Sequence, residues 1–239
     1  MTRAGADATL SLILPTRGRV AAAERLLESV AATADRPDEI EVVLYVDADD
    51  FASHSLTHPA MRIVRLIRPQ ATMGVMTNEC YAAAAGRSIM LINDDVVFKT
   101  RGWDSAFAGA FAAFPDEIAL VWGNDLFRGG RFPSHPCLSR RFCEIAGGPC
   151  PAEYIHDYID THIFDVFRIL RRLGHDRLVY LPGAVIEHCC REVGKAAESP
   201  AASKRHSAAD QQAYIGRADQ RELLAWELAD RIREGAGKR

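Results

Sequence analysis

Short apolar runs alternate with longer amphipathic stretches over the first two-thirds of the chain. Residues 10–15 (LSLILP) are apolar and stopped by proline, which predicts a buried strand. Within residues 21–32, Ala23, Leu26, Leu27 and Val30 share one face at helical spacing, while Glu24, Arg25 and Glu28 lie largely off it. Residues 40–46 (IEVVLYV) predict a second strand that runs into Asp47, Asp49 and Asp50. Residues 61–67 alternate and stop before Pro69, as a strand nearer a sheet edge would. An alanine-rich helix over residues 77–85 follows, with Gly86 as its C-cap. The strand at 88–92 then runs straight into Asn93-Asp94-Asp95. Residues 103–114 predict a helix ended by Pro115, and 118–122 another strand.

This alternation predicts an α/β fold: a mostly parallel sheet with helices on both faces. Ligands of such sheets sit at the carboxyl ends of the strands. Those ends carry Thr16-Arg17, Asp47, Asp94-Asp95 and Asn124-Asp125, so three of the four present carboxylates. Residues 123–151 are rich in glycine and proline and read as one long functional loop. Together with Trp122 just before it, its Phe127 and Phe132 offer aromatic faces and its Arg128 and Arg131 suit an anionic group, so it is a candidate binding wall or lid. An ordinary aromatic cluster packing a long loop has the same composition. Residues 157–173 predict a strong amphipathic helix capped by Gly174, and 178–186 a strand delivering Glu187-His188. Residues 191–209 read as mobile and 210–233 as an amphipathic helix or helix pair. Leu223, Leu224, Trp226 and Leu228 could pack this tail on its own domain or on a partner, leaving oligomeric state open. One domain over 9–190 is expected, with 191–239 a linker and helical extension of it.

Composition narrows the functional classes. With 29 basic and 32 acidic residues the formal charge is −3, which gives no electrostatic case for nucleic acid. No apolar stretch reaches the ~18 residues of a membrane span. The opening apolar run is too short for a secretory signal, so a cytoplasmic location is expected. Six cysteines form no CxxC pair. A zinc site from Cys137, Cys143, Cys150 and His135 is conceivable, but reduced, partly buried thiols are the plainer reading. There is no GxGxxG, no GxxxxGK[ST] and no GxSxG in the appropriate context.

Carboxylates at the mouth of a buried strand are costly unless solvated or charge-compensated. A hard divalent cation supplies that compensation, binding one or two carboxylates together with phosphate oxygens. Asn93-Asp94-Asp95 fits this pattern, although a solvated turn would look alike. Asp160 lies in the first turn of the long helix, where the helix dipole favours an ionised carboxylate able to act as a general base. Asp157 is the competitor and reads more naturally as the N-cap. His188 closes its strand where an imidazole could bind metal or diphosphate; His135, His156 and His162 are weaker candidates.

The order of these parts resembles glycosyltransferase family two and its GT-A-fold, Rossmann-related relatives, over roughly residues 9–190. Pro15-Thr16-Arg17 matches the family's nucleotide-touching turn, and Asp47 its base-binding aspartate. Gly74 and Asn78 match a glycine and asparagine before an alanine-rich helix. The family's DxD metal motif falls on Asn93-Asp94-Asp95, with asparagine in place of the first acid, which makes Asp95 the surer metal ligand. Asp160 takes the place of the catalytic base, with Ile159 where an acid usually precedes it. Arg168, Gly174, Pro182 and His188 continue the pattern.

The resemblance implies a nucleoside-diphosphate-sugar donor bound by Pro15, Thr16, Arg17, Asp47, Gly74, Asn78, Asn93 and Asp94. It also implies Mn2+ or Mg2+ at Asp95 and His188, and inverting transfer to a glycan or other hydroxyl acceptor. An aspartate at position 47 suits the imide of UDP or dTDP. A nucleotidyltransferase on a related fold and a non-catalytic nucleotide-sugar binder are the rival readings.

Overall fold

The computed structural model describes residues 9–189 and 207–236. Its first half alternates β1 (Leu10–Thr16), α1 (Val20–Thr33), β2 (Ile40–Asp47), β3 (Arg62–Arg68), α2 (Met73–Ala83) and β4 (Ser88–Leu91). Then come β5 (Val96–Phe98), α3 (Trp103–Ala112), β6 (Leu120–Asn124), β7 (Cys137–Ser139), α4 (Arg140–Ala146), α5 (Ile159–Arg172) and β8 (Leu178–His188). A helical pair, α6 (Ser207–Gly216) and α7 (Ala218–Ala236), ends the described chain. The expectation of mobility over 191–209 falls mostly outside the described residues, except that 207–209 belong to α6.

Among the described residues eight strands form one sheet in the order β3-β2-β1-β4-β7-β6-β8-β5. The pairings β3·β2, β2·β1, β1·β4 and β6·β8 are parallel; β4·β7, β7·β6 and β8·β5 are antiparallel. The sheet is therefore mixed, because the short strands β5 and β7 run against the rest. Alternate residues of each central strand enter two separate apolar clusters. Leu12, Leu14, Val42 and Leu44 pack with α1 and α3, while Ile13, Val43 and Tyr45 pack with α2, α4, α5 and α7. Every position of β2 is buried, as expected of a strand covered on both sides. At the sheet edge, β3 is largely open and ends at Arg68 before Pro69.

Several local expectations are corrected. Helix α2 begins at Met73, capped by the Thr72 hydroxyl, which accepts from the Val75 amide (3.3 Å). It ends at Ala83, so Gly86 is not its cap. Gly86 is required for another reason: a Cβ there would lie 2.5 Å from the Ser11 amide nitrogen. Residues 123–151 are not one loop, since β7 and α4 lie within them. Asp157 is not the N-cap of α5; that position is Tyr158, in a left-handed conformation (φ 69°).

Candidate active site

The carboxyl ends of β1, β2 and β4 meet, as parallel neighbours must, and their polar residues interlock. The Thr16 hydroxyl donates to Asp94 Oδ2 (2.8 Å), and Arg19 pairs with Asp94 Oδ1 at 2.7 Å. Burial raises the Asp94 pKa against the pull of Arg19 and Thr16. Arg17 donates to Asp47 Oδ2 (2.6 Å) and to Asp49 Oδ2 (2.8 Å), so the buried Asp47 carboxylate is covered by a guanidinium. The Gly18 amide donates to Asp50 (2.7 Å), completing the turn after β1. Asn93 is exposed beside these pairs.

Asp95 is positioned by a pairing that sequence reasoning missed. β5 runs antiparallel to β8 with Val96 opposite His188, and the Cys189 amide donates to the Asp95 carbonyl (2.7 Å). His188 Nε2 consequently lies 3.4 Å from Asp95 Oδ1, and Arg19 lies 3.8 Å from Asp95 Oδ2. Burial works to raise the Asp95 pKa, but His188, Arg19 and His135 together hold it below the usual value. Asp95 Oδ1 is buried without a well-formed hydrogen bond. The buried His135 packs its ring against His188 (centroids 4.9 Å apart), and burial depresses its pKa to about 3. Among the described residues no three ligating side chains form a ready-made metal cage. Cys80, Cys137, Cys143 and Cys150 are buried free thiols; Cys190 lies outside the described residues.

Beside this cluster opens a cavity of about 330 Å3. Pro15, Leu91 and Asn93 line one side, Met73 and Thr77 of α2 the second, and His156 to Thr161 the third. Asp160 therefore faces the same space as the ends of β1 and β4. Burial raises its pKa to about 6, opposed by the Thr161 amide, which donates to Asp160 Oδ1 (2.7 Å), and by the charge of Arg128. Arg128 and Phe132 complete the wall, with the guanidinium stacked 5.0 Å from the Phe132 ring centroid. Asp125 shapes that segment: its Oδ1 accepts the amides of Phe127, Arg128 and Gly129 at 2.7–3.0 Å, and Oδ2 accepts the Ser134 hydroxyl at 2.6 Å. Of the other wall candidates, Trp122 is buried with its indole donating to the Gly129 carbonyl, and Arg131 donates to the Arg128 carbonyl.

Gly74 and Asn78 are not among the residues lining this cavity. Asn78 Nδ2 donates to the carbonyls of Gly74 and Cys150 (2.8 Å each). A Cβ on Gly74 would lie 2.4 Å from the Pro151 carbonyl oxygen. Both residues fasten α2 to the chain at 148–155. His162 is buried against Tyr154, whose hydroxyl lies 2.9 Å from its Nδ1.

No protein-family model and no curated protein matches the sequence. Solved structures do match. Glucosyl-3-phosphoglycerate synthase from Mycobacterium tuberculosis superposes with a TM-score of 0.59 at 15% identity, over 88% of this chain and 80% of that one. Mannosyltransferase PcManGT from Pyrobaculum calidifontis gives 0.56 at 16% identity, over 96% and 75%. TarS from S. aureus gives 0.55 at 14% identity, over 74% of this chain; the match spans only 36% of TarS. All three are GT-A-type glycosyltransferases. The chain has the GT-A fold.

Within that GT-A framework the structure brings together Pro15, Thr16, Arg17, Asp47, Asn93, Asp94, Asp95 and His188 at the strand ends, with Asp160 across the cavity. Arg19, His135 and Asp125 went unnoticed or underused in the sequence. Arg19 sits only three residues beyond Thr16, and its proximity could have suggested it; His135 was named only among the weaker candidates. Among the described residues no helix is long and apolar enough to cross a membrane.

Proposed function

We propose that this protein is a divalent-metal-dependent, inverting glycosyltransferase that moves a sugar from a nucleoside-diphosphate donor to an acceptor hydroxyl. The observation that carries the reading is Asp160: a carboxylate with its pKa raised to about 6 that shares one cavity with the strand ends where GT-A proteins gather their polar residues. A base with a pKa near the working pH is well matched to accept a proton from a hydroxyl. In the transfer, an acceptor O–H gives its proton to Asp160 while the oxygen attacks the anomeric carbon from the face opposite the diphosphate. The bond from that carbon to the diphosphate oxygen breaks, and the configuration inverts.

PcManGT was solved with GDP-Man and Mn2+, the mycobacterial synthase with Mn2+ and UDP, and TarS with UDP. The present residues fit such a cation, since the buried Asp95 Oδ1, which makes no well-formed hydrogen bond, stands 3.4 Å from His188 Nε2. A carboxylate together with substrate phosphate oxygens is the usual way Mg2+ or Mn2+ is held on a nucleotide, and His188 would add one nitrogen donor. When bound there, the cation would neutralise charge on the departing diphosphate. Arg19, between Asp94 and Asp95, adds a fixed positive charge. Asp47, whose Oδ2 is held by Arg17, would accept the imide N–H of UDP or dTDP.

Incubating the protein with nucleoside-diphosphate sugars, Mn2+ and a panel of hydroxyl acceptors tests the reading. Release of the nucleoside diphosphate with transfer supports it, whereas release of pyrophosphate from a nucleoside triphosphate and a sugar phosphate would assign a nucleotidyltransferase instead.

A further inference from the structure

The segment that delivers Asp160 is held from outside residues 9–190, the stretch over which the sequence resembles the family. Asp210, in the first turn of α6, is 0% exposed, and its carboxylate gathers three consecutive backbone amides. Oδ1 accepts from Ile155 (2.7 Å), and Oδ2 accepts from His156 (3.0 Å) and Asp157 (2.8 Å). The two carboxylate oxygens have lone pairs enough for all three donors, which no neighbouring helix or strand supplies with acceptors. On the other side, the carbonyls of Ile155 and Tyr154 accept from the amides of Met73 and Gly74 (2.9 Å each). The backbone at 154–157 is thus clamped between α2 and α6.

The clamp bears on a strained turn. Tyr158 adopts φ 69°, a conformation that a bulky residue holds only when its surroundings impose it. Its ring packs against Tyr214 of α6, with centroids 5.3 Å apart. The hairpin is anchored in turn to α5 through Asp165, which takes bonds from Arg221 (2.9 Å) and the Tyr214 hydroxyl (3.1 Å). His156, Asp157 and Tyr158 line the cavity together with Asp160.

We propose that Asp210 is a positioning residue for the transfer reaction: by gathering the amides of 155–157 it fixes the Tyr158 turn and so sets the direction from which Asp160 enters the cavity. The C-terminal helices are then part of the active site's support rather than an appendage. This inference rests on the role given above to Asp160.

The test compares wild type with Asp210→Asn, which keeps one acceptor oxygen, and Asp210→Ala, which keeps none. Amide hydrogen exchange over 154–159, nucleoside-diphosphate Kd with Mn2+, kcat and KM are measured for each. Arg177→Gln serves as a stability control, because Arg177 pairs with Asp116 (2.7 Å) and does not line the cavity. The expected result for Asp210→Asn is exchange at 155–157 faster by about tenfold or more, kcat lower by about 10- to 100-fold, and donor Kd unchanged within about twofold. Arg177→Gln should lower Tm without altering kcat or exchange at the loop. Should Asp210→Ala fail to fold, the asparagine variant alone decides. Unchanged exchange overturns the clamp; faster exchange with wild-type kcat, or an equal fall of kcat in Arg177→Gln, overturns the positioning role. A wild-type protein that transfers no sugar from any donor sinks the role of Asp160, and with it the catalytic half of this proposal, whereas the exchange measurement judges the clamp on its own.

Discussion

Asp160 concentrates two opposed demands in one side chain. Burial pushes its pKa from 3.8 to about 6. The folded chain therefore binds this proton more tightly than the unfolded chain does. Its stabilising effect is complete below about pH 3.8 and is lost as pH rises through about 6. At pH 8 the half-buried carboxylate is ionised at a cost of roughly 1–3 kcal/mol. Asp160→Asn should accordingly raise Tm at pH 8, with the gain vanishing near pH 4, while lowering kcat by at least about 100-fold. Donor affinity should hardly change. Thermal melts at the two pH values, with single-turnover assays, check this, and normal turnover in the variant would remove Asp160 from the mechanism. In the wild type, kcat/KM should fall tenfold per pH unit below about pH 6, the pKa of the free enzyme's base. Asp95→Ala and His188→Ala should each weaken Mn2+ affinity in the presence of nucleoside diphosphate by about 10-fold or more, read by Mn2+ electron paramagnetic resonance. An unaltered affinity in both would place the cation elsewhere.

The elements around the site were legible to different degrees. Strands β1, β2, β3 and β4 and helices α1, α3 and α5 follow from hydrophobic period, because a run buried on both sides or an amphipathic face is written locally. Strand β5 is only three residues, too short for any period to register, yet its pairing with β8 sets Asp95 against His188. Strand β7 and helix α4 were hidden among prolines and glycines whose punctuation reads as loop. Gly74 shows how a sequence match and a structural role diverge. It occupies the position of a donor-binding glycine, but its lack of a side chain lets the chain at 151–152 cross over α2. Gly74→Ala should lose about 1–3 kcal/mol, since both partners in the clash are backbone. Denaturant melts measure that loss; a variant as stable as wild type would show that the crossing can relax.

At the scale of the whole molecule, the mixed sheet leaves its polar residues at one end and closes the cavity with segments that come late in the chain. Binding of a nucleoside diphosphate with Mn2+ should stabilise this arrangement as a unit, by about 2.7 kcal/mol at a hundredfold excess over Kd. The corresponding rise in Tm is about 5–10 °C. The absence of any shift with every common base, with either Mn2+ or Mg2+, would argue against a nucleotide donor. The sequence by itself determined the order of the longer strands and helices, β5, β7 and α4 excepted, and the placing of carboxylates at strand ends, because both are set by residues a few positions apart. It also marked Asp160 at a helix start. Only the tertiary structure decided that Asp95 meets His188, that Arg17 covers Asp47, that Asn78 bonds the Gly74 and Cys150 carbonyls, and that Asp210 holds the loop before Asp160. Each of those depends on pairing between distant segments, and no local periodicity encodes which distant partner a side chain will find.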